Sequence, residues 1–299
     1  MTNITKVALV LKPKHVHEFN FLIPGIIRWL QRRSKSVIFS IQEKERIESF
    51  MPDLASVIFL DEKKYLDEAD LIISLGGDGT LIGIARQSTS KTSPIFGINL
   101  GHLGFITEFS KLDFYDHLEK VFHGELNISK LFLCKVDIIK NNKVWFSSRF
   151  LNDAVVSKNS ISRMFTISTS TKNEHIFNVS GDGLIISTPV GSTAYSLAAG
   201  GPILHPSLDA FVITPICPHG LTHRPIVLPS SEDIQIKPLN TDEPVTLTLD
   251  GQQAVNIDKW DTVKIYRDEQ HFVSLVKNPE RSYFHTLKEK FYHGRNDTP

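Results

Sequence analysis

The sequence predicts a two-part protein of class α/β + β: a doubly wound α/β half followed by a β-rich, sandwich-like half. Three observations carry this. Up to Gly124, short apolar runs fit for buried strands alternate with segments of helical spacing. After Gly124 helical spacing is scarce, and short strand-like runs follow one another as far as Pro279. Each half also carries a glycine-carboxylate cluster beside an apolar run, at Gly76-Gly77-Asp78-Gly79 and at Gly181-Asp182-Gly183. With 299 residues the chain is long enough for two domains.

In the first half, Lys6 to Leu11 reads as a buried strand. Phe19 to Arg33 has helical spacing, with Pro24 marking an irregular first turn or a helix start. Ser36 to Ile41 and Ala55 to Leu60 read as strands, as does Leu71 to Leu75 before the first glycine cluster. Leu81 to Gln87 reads as helix, Pro94 to Ile98 as strand and Leu112 to His123 as an amphipathic helix. Gly124 ends that helix, because glycine readily takes the left-handed conformation of a helix C-terminus. Strands alternating with helices imply a parallel sheet covered on both faces, a Rossmann-like arrangement.

In the second half, Leu131 to Ile139 and Val144 to Val156 are β-rich, joined by a Lys140-Asn141-Asn142-Lys143 turn. Phe165 to Thr171 and His175 to Val179 form a second hairpin. Ile234 to Lys237, Val245 to Leu249, Thr262 to Arg267 and Phe272 to Val276 are further short strands. Ser192 to Ala199 is the helical exception. The expected division is 1–124 for the α/β domain and 125–279 for the β-rich domain. The tail 280–299, helical from Glu280 to His293, packs on the second domain or back on the first.

Composition narrows the function. Hydrophobic content of 41% and charged content of 22% belong to a folded chain. The 33 basic and 33 acidic residues cancel, which argues against a broad nucleic-acid footprint. Arg32, Arg33 and Lys35 form the densest basic run and read as a solvated helix end. Cys134 and Cys217 give neither a disulfide framework nor a metal spacing, and suit a reducing compartment. Lys6, Lys12 and Lys14 interrupt the first apolar run, so no signal peptide is expected. No apolar stretch approaches the ~20 residues that span a bilayer. The expectation is a cytoplasmic protein without membrane or nucleic-acid partners. His205, His219 and His223 lack zinc spacing.

The first glycine cluster has a chemical reading. Residues without Cβ let bare backbone approach a phosphate, and unpaired amides at the start of the following helix favour an anion. Asp78 would repel that anion unless it accepts a proton from an attacking hydroxyl or holds a magnesium ion on the phosphates; both roles stay open. A plain strand-helix turn is the alternative. The cluster matches neither G-x-G-x-x-G nor the phosphate loop ending in Gly-Lys-Ser/Thr. In the second cluster, Gly181 to Ser196 is dense in hydroxyls, and Ser192 or Thr193 is placed to cap the next helix, a second helix N-terminus aimed at a ligand. Asn152-Asp153 offers donors and acceptors at the spacing of a sugar diol, or is a common turn. Asp250-Gly251-Gln252, taken alone, is a hairpin turn. The two clusters together suggest a phosphoryl-transfer site between the halves.

The chain resembles the NAD kinases in the order of its motifs. Those motifs are Gly76-Gly77-Asp78-Gly79-Thr80, Asn152-Asp153, Asp182 to Pro189 with Gly191 to Ser196, Gly200-Gly201-Pro202, Pro218-His219, Arg224-Pro225 and Asp250-Gly251-Gln252. The likeness covers roughly Lys6 to Phe284. It implies ATP-dependent phosphorylation of the 2′-hydroxyl of the adenosine ribose of NAD, with a divalent cation, usually magnesium. It implies Asp78 as the catalytic residue, with Gly76, Gly77, Gly79 and Thr80 at the ATP phosphates. It implies an NAD site made of Asp78, Gly79, Asn152, Asp153, Arg163, Asp182, Thr193, Ala194, Tyr195, Ser196, Leu197, Ala198 and Gln252. It also implies a homodimer or homotetramer in which a neighbouring chain completes part of that site. Asp153 stands where Glu is frequent, and Ser180-Gly181 where many members have an Arg; the second departure bears on NAD versus NADH. A lipid or sugar kinase with the same glycine turn, and a non-catalytic dinucleotide sensor, are the competing readings.

Overall fold

A computed structural model describes residues 4–14, 16–51, 57–62, 64–101, 104–159, 165–239 and 245–292. The chain forms two compact units. The first takes Met1–Ile84, Ser88–Lys130 and Phe272–Pro299; the second takes Ala85–Gln87 and Leu131–His271.

In the first unit the order is β1 (Lys6–Leu11), α1 (Phe19–Gln31), β2 (Ser36–Ser40), α2 (Lys44–Phe50), β3 (Val57–Leu60), β4 (Leu71–Gly76), α3 (Asp78–Gln87), β5 (Ile95–Asn99), β6 (Phe109–Ser110) and α4 (Phe114–Phe122). Strands β3, β2, β1, β4 and β5 lie side by side in that order, all parallel. Chain direction across the sheet therefore reverses between β1 and β4, the place where doubly wound sheets open a crevice at their C-terminal edge. Every residue of β4 and β5 is buried, as expected of strands covered on both faces. Pro24 sits inside α1, neither at its start nor in a broken turn. It withholds one N–H from the carbonyl of Asn20, a residue on the exposed side of the helix where solvent has access. Gly124 takes φ +92° after α4.

The second unit holds β7 (Ile128–Lys140), β8 (Lys143–Phe150), β9 (Asp153–Lys158), β10 (Phe165–Ser170), β11 (His175–Gly181), β12 (Gly183–Ser187), α5 (Tyr195–Ala198), β13 (Ala210–Ile216), β14 (Ile226–Pro229), β15 (Ile234–Leu239), β16 (Val245–Leu249), β17 (Gln253–Ile257) and most of β18 (Thr262–Val276). One sheet runs β14-β13-β12-β9-β16-β17, and the other pairs β11, β10, β15 and β18 in sequence, with β7 and β8 alongside. Inward residues of both, among them Val156, Ile167, Ile186, Ile236, Leu247 and Ile265, share one core. Asn141 and Asn142 at φ 51° and 60° make the β7–β8 turn.

The β-rich run to Val156 is two strands, parted at Leu151-Asn152. Two boundaries differ from expectation. The runs Thr262–Arg267 and Phe272–Val276 are one strand, because the polar residues joining them are satisfied in place: Asp268 accepts from Arg149 Nε at 2.7 Å and Gln270 N at 3.0 Å, and meets His271 Nδ1 at 2.8 Å. The tail helix α6 is Tyr283–Tyr292, within the first unit.

Candidate active site

The crevice predicted by strand order is present. The backbone of Lys12, just past β1, donates to Leu75 O at 3.0 Å, and β4 ends at Gly76 beside it. A cavity of about 330 Å³ opens there, lined by Gly76, Gly77, Asp78, Asn99 and Gly101, with two lysines, Lys12 and Lys290. A Cβ on Gly76 would lie 2.1 Å from Thr80 Oγ1, so the turn closes only with glycine. A Cβ on Gly77 would meet nothing within 4 Å, which leaves its backbone bare toward the cavity.

Asp78 is the first residue of α3, three residues earlier than the Leu81 start read from the sequence. Its carboxylate caps a facing loop. Oδ2 accepts from Phe105 N at 2.7 Å; Oδ1 accepts from Ile106 N at 3.3 Å, Thr107 N at 3.0 Å and Thr107 Oγ1 at 2.7 Å. Asn99 Nδ2 donates to Thr107 Oγ1 at 2.9 Å and so fixes that hydroxyl's direction. Gly104 makes the approach possible, since a Cβ there would fall 1.9 Å from Asp78 Oδ1. Among the described residues Oδ1 takes three donors, whereas Oδ2 takes one and keeps a lone pair.

In the second unit the structure gathers Asn152, Asp153, the Thr188–Gly191 segment and Asp250. Thr188 Oγ1 donates to Leu151 O at 2.6 Å, and its backbone N donates to Asn152 O at 2.9 Å. A Cβ on Gly191 would lie 2.1 Å from Asn152 O. Asp250, at φ 53° in the β16–β17 turn, is more than a turn residue. Its Oδ1 accepts from Leu151 N, Asn152 N and Asp153 N at 3.1, 2.7 and 3.2 Å. Burial pushes the Asp250 carboxyl up despite those amides. Asp153 is 5% exposed, and burial, helped by the charge of Asp250, pushes it to about 7. Asn152 Oδ1 is buried without a hydrogen-bond partner among the described residues.

The remaining residues implied by the resemblance have varied surroundings. Asp182 is half exposed and pairs with Lys158 Nζ at 2.7 Å, which holds its carboxyl below the usual range. It precedes the Gly183↔Ser157 end of the β9–β12 ladder, while Asp153 pairs with Ser187 at the other end. The separation is roughly 14 Å at the usual rise per strand residue. Gln252 Oε1 accepts from Arg86 Nη2 at 2.9 Å. Tyr195 is exposed, Thr193, Ala194 and Leu197 are half-buried, Ala198 is exposed, and buried Ser196 shares a hydrogen bond with Thr214 at 2.8 Å. The expected second helix N-terminus does not form as read. The segment Gly191–Thr193 is a 3-10 turn and α5 has four residues, with no side-chain cap. Ser192 donates to Pro189 O and Thr193 to Val190 O instead, because the turn at Pro189 leaves those carbonyls nearest. Arg163 lies outside the described residues.

Sequence reasoning missed Lys12, Asn99, Gly104, Thr107 and Lys290. Lys12 and Asn99 carried a usable signal, since each stands at the C-terminal end of an apolar strand, where α/β sheets bind ligands. The others had no local signal.

A doubly wound unit with a bare glycine turn at its switch point, followed by a β-rich unit, defines a two-unit α/β + β protein whose turn is of the kind that receives phosphates. The ATP-NAD kinase N-terminal domain matches residues 7–126, and the ATP-NAD kinase C-terminal domain matches residues 151–277. An NAD kinase of Solibacter usitatus is 38% identical over 291 residues, 97% of this chain and 99% of its own. One of Geobacter sulfurreducens is 43% identical over 226 residues, 76% and 79% of the two chains. The chain belongs to the ATP-NAD kinase family. In fold it is similar to a yeast NADH kinase complexed with NADH (TM-score 0.87, 23% identity, covering 100% of this chain and 90% of that one). It is also similar in fold to an NAD kinase from Archaeoglobus fulgidus in complex with ATP (TM-score 0.72, 24% identity, 96% and 98%).

Proposed function

We propose that this chain transfers the γ-phosphoryl group of ATP to the 2′-hydroxyl of the adenosine ribose of NAD, giving NADP. The observation that carries the mechanism is Asp78, fixed by the 105–107 loop at a glycine-lined cavity with one carboxylate oxygen still able to accept. A ribose hydroxyl is a weak nucleophile at neutral pH. In a loose transition state its proton leaves late, so a positioned carboxylate suffices as base. The Gly76–Thr80 backbone faces the donor phosphates, and Lys12 and Lys290 offset their charge. Asn152 offers its unpartnered Oδ1 to the dinucleotide, with Asp153, Arg163, Asp182, Thr193 to Ala198 and Gln252 as its further contacts.

Magnesium fits as a companion of the donor rather than as a caged ion. Asp78 is the one carboxylate among the described residues lining the cavity, and no group of three His, Cys, Asp or Glu gathers among the described residues. When bound beside Asp78 with the donor, it would supply positive charge that offsets the charge developing on the transferred group. Asp182, far along its ladder from Asn152, supports a homo-oligomer in which a second copy supplies that contact. No helix among the described residues is long and apolar enough to cross a membrane, and we place the enzyme in the cytoplasm.

The test is NADP formation read by a coupled dehydrogenase, with a panel of triphosphates and polyphosphate as donors and NAD or NADH as acceptor. Turnover with ATP and NAD is expected. Phosphorylation of a diacylglycerol or a sugar phosphate in place of NAD would overturn the reading, as would binding of NAD without turnover.

A further inference from the structure

The loop that fixes Asp78 is itself held from the far end of the chain. Arg281 lies in the short segment between β18 and α6, with its side chain 8% exposed. Its Nη2 donates to the carbonyl of Gly104 and its Nη1 to the carbonyl of Thr107, each at 3.3 Å. The Gly104 carbonyl and the Phe105 amide belong to one peptide group, and that amide donates to Asp78 Oδ2 at 2.7 Å. Guanidinium, peptide and carboxylate thus form one hydrogen-bonded chain. A cation on the carbonyl end polarises the peptide and strengthens the N–H at its other end.

Arg281 has little else to compensate its burial. Glu289 Oε2 is 3.8 Å away, and Nε is buried without a partner among the described residues. Burial lowers the pKa of the guanidinium, while Glu289 and Asp78 are the anions that favour its charge. The approach of Arg281 is fixed by the same loop. Asn278 N donates to Glu108 Oε2 at 2.7 Å, Lys277 pairs with Glu108, and Arg281 N donates back to Asn278 O at 3.1 Å. The guanidinium and the Phe105 amide are therefore anchored to each other from both sides.

We propose that Arg281 is a positioning residue of the phosphoryl transfer: through the Gly104–Phe105 peptide it aims the amide that holds Asp78 against the reacting hydroxyl. The inference rests on the assignment of Asp78 as base. It adds to the site a residue from the C-terminal segment that does not line the cavity.

The experiment compares Arg281→Ala, Arg281→Gln and Arg281→Lys with the parent in the NADP-forming assay, with thermal melting alongside. Arg281→Ala should lose about 10²-fold in kcat, the scale of misplacing a reacting group by about 1 Å, with KM for NAD and ATP unchanged. Added methylguanidinium should restore kcat saturably in that variant and leave the parent unaffected. Arg281→Lys, a point charge that cannot span both carbonyls, should fall between parent and Arg281→Ala. Arg281→Gln keeps a donor without the charge and should stay as slow as Arg281→Ala. If Arg281→Ala does not fold, Arg281→Lys decides by the same split of kcat from KM. A folded Arg281→Ala or Arg281→Lys with kcat within about twofold of the parent overturns the proposal, as does a loss that appears in KM and is not rescued. A parent that forms no NADP would sink the reading of the activity itself, a separate outcome.

Discussion

Asp78 and Asp250 are held by the same device, one in each unit, and serve different ends. Each carboxylate accepts from three consecutive backbone amides: 105–107 for Asp78 and 151–153 for Asp250. Asp78 stands at an open cavity between glycines and lysines, and its donors leave Oδ2 half used. Asp250 is half-buried beside buried Asp153, its Oδ1 takes all three amides, and burial works against its charge. Three amides thus orient a carboxylate in either setting. What surrounds it differs: Asp78 faces a cavity, in keeping with the role proposed for it, and Asp250 holds the backbone of Asn152.

The same substitution at both positions breaks the likeness most sharply. Asp78→Asn leaves an oxygen for the three donors on Oδ1 but turns an NH₂ toward Phe105 N–H and toward the reacting hydroxyl. Turnover should fall by about 10²–10⁴-fold, the usual worth of general-base help, while the chain folds and binds NAD. Near-normal turnover removes Asp78 from the chemistry, and a steeply raised magnesium requirement makes it a metal ligand.

Asp250→Asn keeps Oδ1 for all three amides and should change little. Asp250→Ala leaves three amides without their acceptor, at about 1–3 kcal/mol for each that water does not reach. If the variant folds, the cost should appear as an NAD KM raised by about 10²-fold, with kcat nearly kept. A loss confined to kcat would show that Asp250 belongs with Asp78 and not with the anchors.

The smallest effect is one of pH. Asp153 holds its proton to about 7 in the folded chain, far above the ordinary carboxyl, because of burial first and the charge of Asp250 second. The folded state therefore binds that proton more tightly than the unfolded one. Its contribution to stability is full below pH ~4 and is lost as pH rises through about 7. Melting temperatures of the parent should drift down across that window, and Asp153→Asn should flatten the drift. An equal slope in both proteins would place the titration elsewhere.

Local pattern alone determined the alternation of strands and helices up to Gly124, the hairpin at Asn141-Asn142 and the Gly76–Thr80 turn. Apolar period and glycine placement act over a few residues and need no distant partner. The same pattern was blind where neighbours in space overrode it. It broke β18 at Asp268, whose charge Arg149 satisfies from 119 residues away, with His271 beside it on the same strand. It put a capping role on Ser192 and Thr193, whose hydroxyls found nearer carbonyls. It read Asp250 as a turn residue, because the amides that use its carboxylate lie 97 to 99 residues away. The family was likewise legible in the order of the motifs Gly76–Thr80, Asn152-Asp153 and Asp182–Ser196, which fall inside the matched domains. Only the tertiary structure decided that Asp78 is held by a loop 27 to 29 residues away, with Arg281 behind it. A hydrogen bond depends on distance and angle in space, and strand order, not chain order, sets those.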